Sequence, residues 1–279
     1  MIYDLVIIGA GISGLTAAIQ AQHLGLEDVI LLDYQKSLGG FTRPYWVTGE
    51  FARENEILQK AAELPYEIRT ETTVVGYFPG QPHQLYVQSP GGTDSIEARH
   101  IFIASGALEK PREAHRIPGS RPAGVMTPMM AAQLLDRGYL PGHNIVLMES
   151  GRISRGAASL LGEKTEGIQV YADDAWELRG VAGFARLEKV SLLNRKSGKV
   201  HDQECDTLIY SKGRIPSTFF LKGTPVVRDE HDAVVVDKEG RTSLPGVFAA
   251  GSCTTLGQDD HENSALLATI AMNTLLKEW

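Results

Sequence analysis

Gly9, Gly11 and Gly14 stand at G-x-G-x-x-G spacing, and Asp33 closes the apolar run that follows them. Those residue types at that spacing suit one task, the cradling of a dinucleotide. Gly9 permits a tight turn, Gly11 lets a pyrophosphate approach the backbone, and Gly14 lets a helix lie close to a strand. The N–H groups at the start of that helix, aided by its dipole, receive the phosphate charge. Asp33 is placed to accept hydrogen bonds from a ribose hydroxyl.

Glycines alone are a weak signal, so the flanking elements decide. Leu5 to Ile8 is an apolar run too short to cross a membrane and reads as a buried parallel strand. Leu15, Ala17, Ala18 and Ala21 carry a helical pattern, and Val29 to Leu32 forms a second strand. Strand, turn, helix and strand are all present, which sets an ordinary glycine-rich turn aside.

Composition narrows the rest. With 279 residues, 43% of them hydrophobic, the chain suits one large or two smaller α/β domains. A net charge of −7 argues against a nucleic-acid binder. No basic leader or long apolar run precedes the first strand, so no signal peptide or membrane span is expected and the cytoplasm is the expected location. Cys205 and Cys253 form no C-x-x-C, which excludes a vicinal redox dithiol and the usual zinc spacings. No metal site is expected, and the two cysteines read as buried thiols.

Beyond Asp33, Gly39-Gly40 is a second flexible point. A helix is expected over Glu50 to Leu64 and a strand over Tyr66 to Ile68. A three-stranded meander is expected over Thr72 to Phe78, Leu85 to Gln88 and Ser95 to Arg99. His100 to Ala104 reads as a further strand ending in Ser105-Gly106-Ala107. Pro111 to Pro128 reads as a linker into a second domain.

There the first pattern returns in damaged form. Met129 to Arg137 is a helix, Asn144 to Met148 a strand, Ser154 to Leu161 a helix and Ile168 to Ala172 a strand. Glu149 stands where the first glycine should be and Ser154 where the third should be. A carboxylate ~4 Å from a phosphate, at an effective dielectric of ~20, repels it by roughly 4 kcal/mol. That costs about a thousandfold in affinity, with Arg152 offsetting part. A hairpin over Arg186 to Leu193 and Lys199 to Glu204 follows almost at once. Ala175 to Ala185 is too short for a full parallel crossover, which takes about a dozen residues. Asp206 to Ser211, Ala233 to Val236 and Val247 to Ala250 read as strands, and Ser264 to Leu276 as an amphipathic helix with Asp259, Asp260 and Glu262 at its dipole-complementing start.

Laid out in this way, the chain resembles, over nearly its whole length, the two-domain flavoproteins of the thioredoxin reductase and pyridine nucleotide-disulfide oxidoreductase superfamily. The resemblance rests on YDLVIIGAGISGLTAA, HIFIASGALEKP, KGRIP and LPGVFAAG. A nearer likeness, through RIPGSRPAGVMTPMMAAQLLDRGYLPG, is to flavin subunits found beside glycerol-3-phosphate, opine or proline dehydrogenase partners and in hydrogen cyanide synthase. It implies a Rossmann-like FAD-binding domain with a β-meander over 1–112 and 214–279, and a smaller, truncated Rossmann-like domain inserted at 113–213.

The same resemblance implies FAD held by Gly9, Gly11, Ile12, Ser13 and Gly14 at the pyrophosphate and by Asp33 and Tyr34 at the adenosine ribose. Gly40 and Phe41 would lie near the phosphates or ribityl chain, Val74 near adenine, and Ala104, Ser105 and Gly106 beside the cofactor. Gly251 and Ser252 would reach the ribityl chain, Ser252 replacing the family's usual acid or amide. Ser264 and Ala265 would face the flavin pyrimidine edge. His261 and Glu262, just before them, are the candidates for a general acid or base.

Three functions stay open at this stage. One is a flavoprotein subunit that exchanges electrons with a protein partner or an unidentified substrate, without a working NAD(P)H site. The second is a non-catalytic scaffold holding FAD or ADP, and the third an NAD(P)H-dependent flavin reductase. Assembly into a homo-oligomer is open in all three.

Overall fold

The computed structural model describes residues 2–257 and 261–279. Asp259 and Asp260, expected to complement a helix dipole, lie outside the described residues. The chain opens with β1 (Ile2–Ile8), α1 (Ile12–His23) and β2 (Val29–Leu32). Two 3-10 turns, Arg43–Tyr45 and Gly49–Phe51, precede α2 (Glu54–Ala61). Next come β3 (Glu67–Arg69), β4 (Thr73–Phe78), β5 (His83–Ser89), β6 (Gly92–Ile103) and β7 (Ala107–Glu109). The middle of the chain holds α3 (Arg112–His115), β8 (Val125–Met126), α4 (Pro128–Asp136), β9 (Ile145–Glu149), α5 (Arg152–Gly162) and β10 (Ile168–Ala172). It continues with β11 (Trp176–Gly183), β12 (Leu187–Asn194), β13 (Val200–Glu204), β14 (Thr207–Ile209) and β15 (Arg214–Pro216). β16 (Val247–Ala249) and α6 (His261–Lys277) close it.

Two compact units share this chain. The first runs through Arg43, resumes at Arg53–Leu108 and returns at Ile215–Trp279; the second holds Pro44–Ala52 and Glu109–Arg214. The sequence-based boundaries lay at 112/113 and 213/214.

In the first unit a seven-stranded sheet runs β3-β2-β1-β6-β5-β4, with β16 also on β6. Alternation along β1 sorts its side chains between two layers. Leu5 and Ile7 join Leu31 and Phe102 in a core completed by α1 and α6. Val6 and Ile8 join Ile30 and Ile103 in a core completed by Val74, Leu85 and Val87 of the meander. Small residues let α1 and α6 lie together, Ala17, Ala18 and Ala21 sharing the core with Ala268 and Ala271.

In the second unit a parallel sheet runs β10-β9-β14-β8, and β11, β12 and β13 form a separate antiparallel sheet. Val146, Met148 and Leu208 of the parallel sheet share a core with Val181, Val190 and Leu192 of the antiparallel one.

Several elements differ from the sequence reading. The strands expected over 95–99 and 100–104 are one strand, β6. Its first half pairs antiparallel with β5 and its last residues pair parallel with β16, while β1 runs along most of it. The helix expected over 50–64 breaks after Phe51, whose ring leaves the α2 face to stack on Tyr45. Ala175 to Ala185, expected to be a bare connection, is largely the strand β11. Gly180 and Gly183 masked it, and both sit at register shifts against β12, where a glycine commonly marks a bulge. The proline-rich stretch 111–128 carries α3 and β8, and β8 pairs with β14. Ala233 to Val236 makes only isolated bridges, Val234 reaching Arg228 and Thr254.

The meander side of the first unit carries a buried imidazole, His83, and a half-buried one, His100. His83 Nδ1 lies 3.0 Å from the Tyr77 hydroxyl and accepts the Gly80 N–H at 3.3 Å. His100 stacks on Trp279 with centroids 4.4 Å apart. Burial pushes both pKa values below 6.5, helped at His83 by the neighbouring His100. The folded state therefore holds both rings neutral where the unfolded chain takes up protons. Stability is fully present above about pH 6.5 and falls on acidification, by up to about 1.4 kcal/mol per pH unit for each ring. Urea midpoints measured from pH 7.5 down to 5.5 should drop accordingly, and His83→Gln should flatten the drop.

Candidate functional site

The first glycine turn is set by backbone contacts that leave no room for side chains. Gly9 has φ +103°, and a Cβ there would lie 2.3 Å from the Ala104 carbonyl oxygen. A Cβ on Gly14 would lie 1.7 Å from the Gly9 carbonyl oxygen. The turn is thus wedged between β1, β6 and the first turn of α1. In front of Gly11 the situation reverses, since a Cβ would meet only the Cα of Gly40, at 3.8 Å. α1 starts there with no side-chain cap and no acidic residue in its first turn. Its leading N–H groups are left for an external anion.

Asp33 directly follows β2 on the same cleft, only 4% exposed. Its Oδ2 accepts the Ala10 N–H at 2.6 Å and its Oδ1 accepts the Gln35 N–H at 2.7 Å. Burial lifts its pKa above the ordinary carboxylate value, opposed by those two backbone donors. The carboxylate is held rigidly across the turn and keeps lone pairs for hydroxyl donors.

A mainly apolar cleft of about 260 Å³ opens between these groups. That is near the lower end of the range for small-molecule sites. Of the residues singled out in the sequence, Gly9, Gly11, Asp33, Tyr34, Gly40, Phe41, Val74, Ala104, Ser105 and Gly106 line it. Ile12, Ser13 and Gly14 lie buried behind them in α1. Gly251 and Ser264 come to that first turn of α1 from the far end of the chain. A Cβ on Gly251 would lie 2.2 Å from Ser13 Oγ, and Ser13 Oγ donates to the Ser264 carbonyl at 3.5 Å. Ser252 Oγ faces Gly106, 3.9 Å from where its Cβ would be. Ala265 follows, half-buried in α6.

The donor set fits a dinucleotide cofactor. Uncapped N–H groups, a fixed carboxylate and an apolar wall converge on one cleft. Ser105 Oγ is buried on that wall beside the Cys253 thiol, a weak partner, and is a polar atom that a ligand would satisfy more fully.

The cleft also takes in residues the sequence did not mark. Thr72 and Thr73 lie directly before Val74, and Thr72 N–H donates to the Asp33 carbonyl at 2.8 Å. Ser217 arrives through its N–H bond to the Gly106 carbonyl at 2.9 Å, and Phe220 follows it. The threonines were within reach of a strand-end argument; Ser217 and Phe220 come close only through the tertiary fold.

The two acid/base candidates separate. His261 Nδ1 lies 2.7 Å from Glu54 Oε1, and Glu54 is only 3% exposed. Glu262 has a side chain 84% exposed and pairs with Arg53 at 3.5 Å. Both cysteines are buried free thiols. Burial pushes Cys205 up to about 11 and raises Cys253 as well, so neither is poised as a nucleophile.

The second glycine turn, in the second unit, is built differently. Glu149 is the last residue of β9, and Gly151, with φ +107°, precedes α5. Ser154 Oγ accepts the Ser150 N–H at 2.7 Å and donates to the Gly151 carbonyl at 2.8 Å. Arg152, expected to offset Glu149, donates to the Glu50 carbonyl and lies 4.4 Å over the Phe51 ring. Among the described residues no helix is long and apolar enough to cross a membrane.

The fold is that of known enzymes. The thioredoxin reductase of T. acidophilum superposes with a TM-score of 0.76 at 21% identity, over 99% of this chain and 98% of that one. L-proline dehydrogenase from P. horikoshii gives 0.74 at 22% identity, over all of this chain and 56% of that one. In sequence, the thioredoxin reductase of Treponema pallidum (strain Nichols) is 24% identical over 89% of this chain and 88% of its own length. The NADH dehydrogenase of Bacillus subtilis (strain 168) is 23% identical over 90% of this chain, which spans 54% of that enzyme's length. Residues 3–161 and 163–274 match the pyridine nucleotide-disulphide oxidoreductase family, and the chain belongs to that family of flavin-dependent oxidoreductases.

Proposed function

We propose that the cleft at Gly9, Gly11 and Asp33 seats FAD and that the protein exchanges electrons with a partner protein or small substrate outside the usual nicotinamide pocket. The observation that carries this is the convergence of the uncapped α1 start, the Asp33 carboxylate and the Ala104–Gly106 wall on one cleft. No vicinal dithiol exists to pass electrons to a disulfide. When bound, FAD supplies the two-electron chemistry, and the protein positions and tunes it.

The N–H groups leading α1 would hold the pyrophosphate, and Asp33 the ribose hydroxyls. Val74 would offer apolar surface to the adenine. The open front of Gly11 lets phosphate approach the backbone, which a Cβ would prevent. At the start of α6, Glu54 fixes the His261 ring through Nδ1. Any proton exchange by this ring would take place with the buried Glu54 carboxylate orienting it. Glu262, exposed and paired with Arg53, is the weaker candidate for that work.

Purified protein should carry flavin absorbance. Folded, colourless protein that takes up no FAD would contradict the proposal. Asp33→Asn should weaken FAD binding by roughly 10- to 100-fold, the loss of charge-assisted hydrogen bonds worth about 1.5–3 kcal/mol, read by fluorescence of released flavin. The proton role has its own test in the midpoint potential of the bound flavin against pH. His261→Asn and Glu54→Gln should both flatten that dependence, and an unchanged dependence in both would assign the pair a purely structural role.

A further inference from the structure

The second unit contains Pro44–Ala52, far in sequence from the rest of it. Tyr45 and Phe51 of this segment are fully buried and stack with ring centroids 6.1 Å apart. The segment lies against the beginning of α5, where a Cβ on Gly156 would come within 3.1 Å of both rings. Arg152 and Arg155 bind it from the same helix face, since positions i, i+3 and i+4 are neighbours on a helix. Arg152 sits over Phe51 and donates to the Glu50 carbonyl. Arg155 Nε bonds the Glu50 carboxylate at 3.2 Å.

Each feature removes something that a pyrophosphate at this turn would need. The Ser150 N–H, a natural phosphate donor, is taken by Ser154 Oγ. That hydroxyl also returns its own proton to the Gly151 carbonyl, so the loop closes its hydrogen bonds by itself. Arg152, the cation at the first position of α5, is drawn onto Phe51 and the Glu50 backbone. Arg155, the next cation along α5, is paired with the Glu50 carboxylate and so is neutralised by the same segment. The two helix starts are alike in having no side-chain cap and no acid in the first turn, so the difference lies in the cations of α5, both of which the segment engages.

We infer that Pro44–Ala52 is a built-in strap, acting through Glu50 and Phe51 together with Ser154, that makes the second glycine turn refuse a nicotinamide dinucleotide. This inference rests on the reading that the second unit has lost its NAD(P)H site, and it assigns that loss to particular residues beyond the glycine motif. Restoring the glycines alone does not reopen the site, because the strap still holds Arg152 and Arg155.

The test is binding of NADH and NADPH to the full chain in its flavin-loaded form, measured by calorimetry, with circular dichroism and flavin absorbance confirming an unchanged fold. Glu149→Gly with Ser154→Gly rebuilds the glycine motif. Adding Glu50→Ala, whose side chain is partly exposed, should tighten binding by about tenfold over that double variant. Adding Phe51→Leu in its place keeps apolar bulk, removes the ring beneath Arg152, and should also tighten it. If the rebuilt motif binds equally well with and without the strap substitutions, or if no folded variant binds, the strap is not the cause and the inference falls while the loss of the site stands. Micromolar binding by the unaltered protein would overturn both.

Discussion

The tightest constraint in the first unit is the approach of Gly14 to the carbonyl of Gly9, where even one carbon would collide at 1.7 Å. It brings α1 down onto the end of β1 and leaves the leading N–H groups of the helix pointing past Gly11. Gly9 is in turn pressed on Ala104 at the end of β6. The strand that carries the meander on one half and β16 on the other therefore also forms the floor of the turn. α6 completes the arrangement, packing its alanines on those of α1 and bringing Ser264 to Ser13. The cleft arises because strands, helix and C-terminal helix meet at one point where no side chain fits.

The same motif occurs twice in this chain with opposite outcomes. In the first unit the turn is shaped by neighbours but not satisfied by them, and its donors remain available. In the second, Ser154 replaces a glycine and supplies an oxygen from within, doing for Ser150 what a phosphate oxygen would otherwise do. A turn whose Ser150 N–H and nearby Arg152 are already engaged offers less to a ligand. The fold is that of the relatives, and the two turns differ in how far their own side chains bond them. Fold is a poor guide to function in such a case; the bonding of a few backbone groups decides.

Much of this was legible in the sequence, for identifiable reasons. Runs such as Val29 to Leu32 and Ile168 to Ala172 announce strands because a buried parallel strand needs apolar residues continuously. The ten predicted residues that line the cleft sit at strand ends and glycine turns, where local spacing carries the information. What failed depended on distant partners. The break after Phe51 follows from a stacking partner, Tyr45, that helix periodicity cannot reveal. β11 was hidden by Gly180 and Gly183, which weaken a strand pattern and here mark bulges. Glu54 carries no local signal of burial, and its bond to His261, from another element, appears only in the fold. The strap escaped notice for the same reason, since nothing in Pro44–Ala52 names α5 as its neighbour.

The central claim, that one turn holds a flavin dinucleotide and the other holds no nucleotide, is tested most directly by the nucleotides released when the purified protein is denatured. Chromatography of that extract should yield one FAD per chain and no nicotinamide nucleotide. A preparation that releases NAD or NADP in comparable amount, or a folded one that releases no flavin, would contradict it.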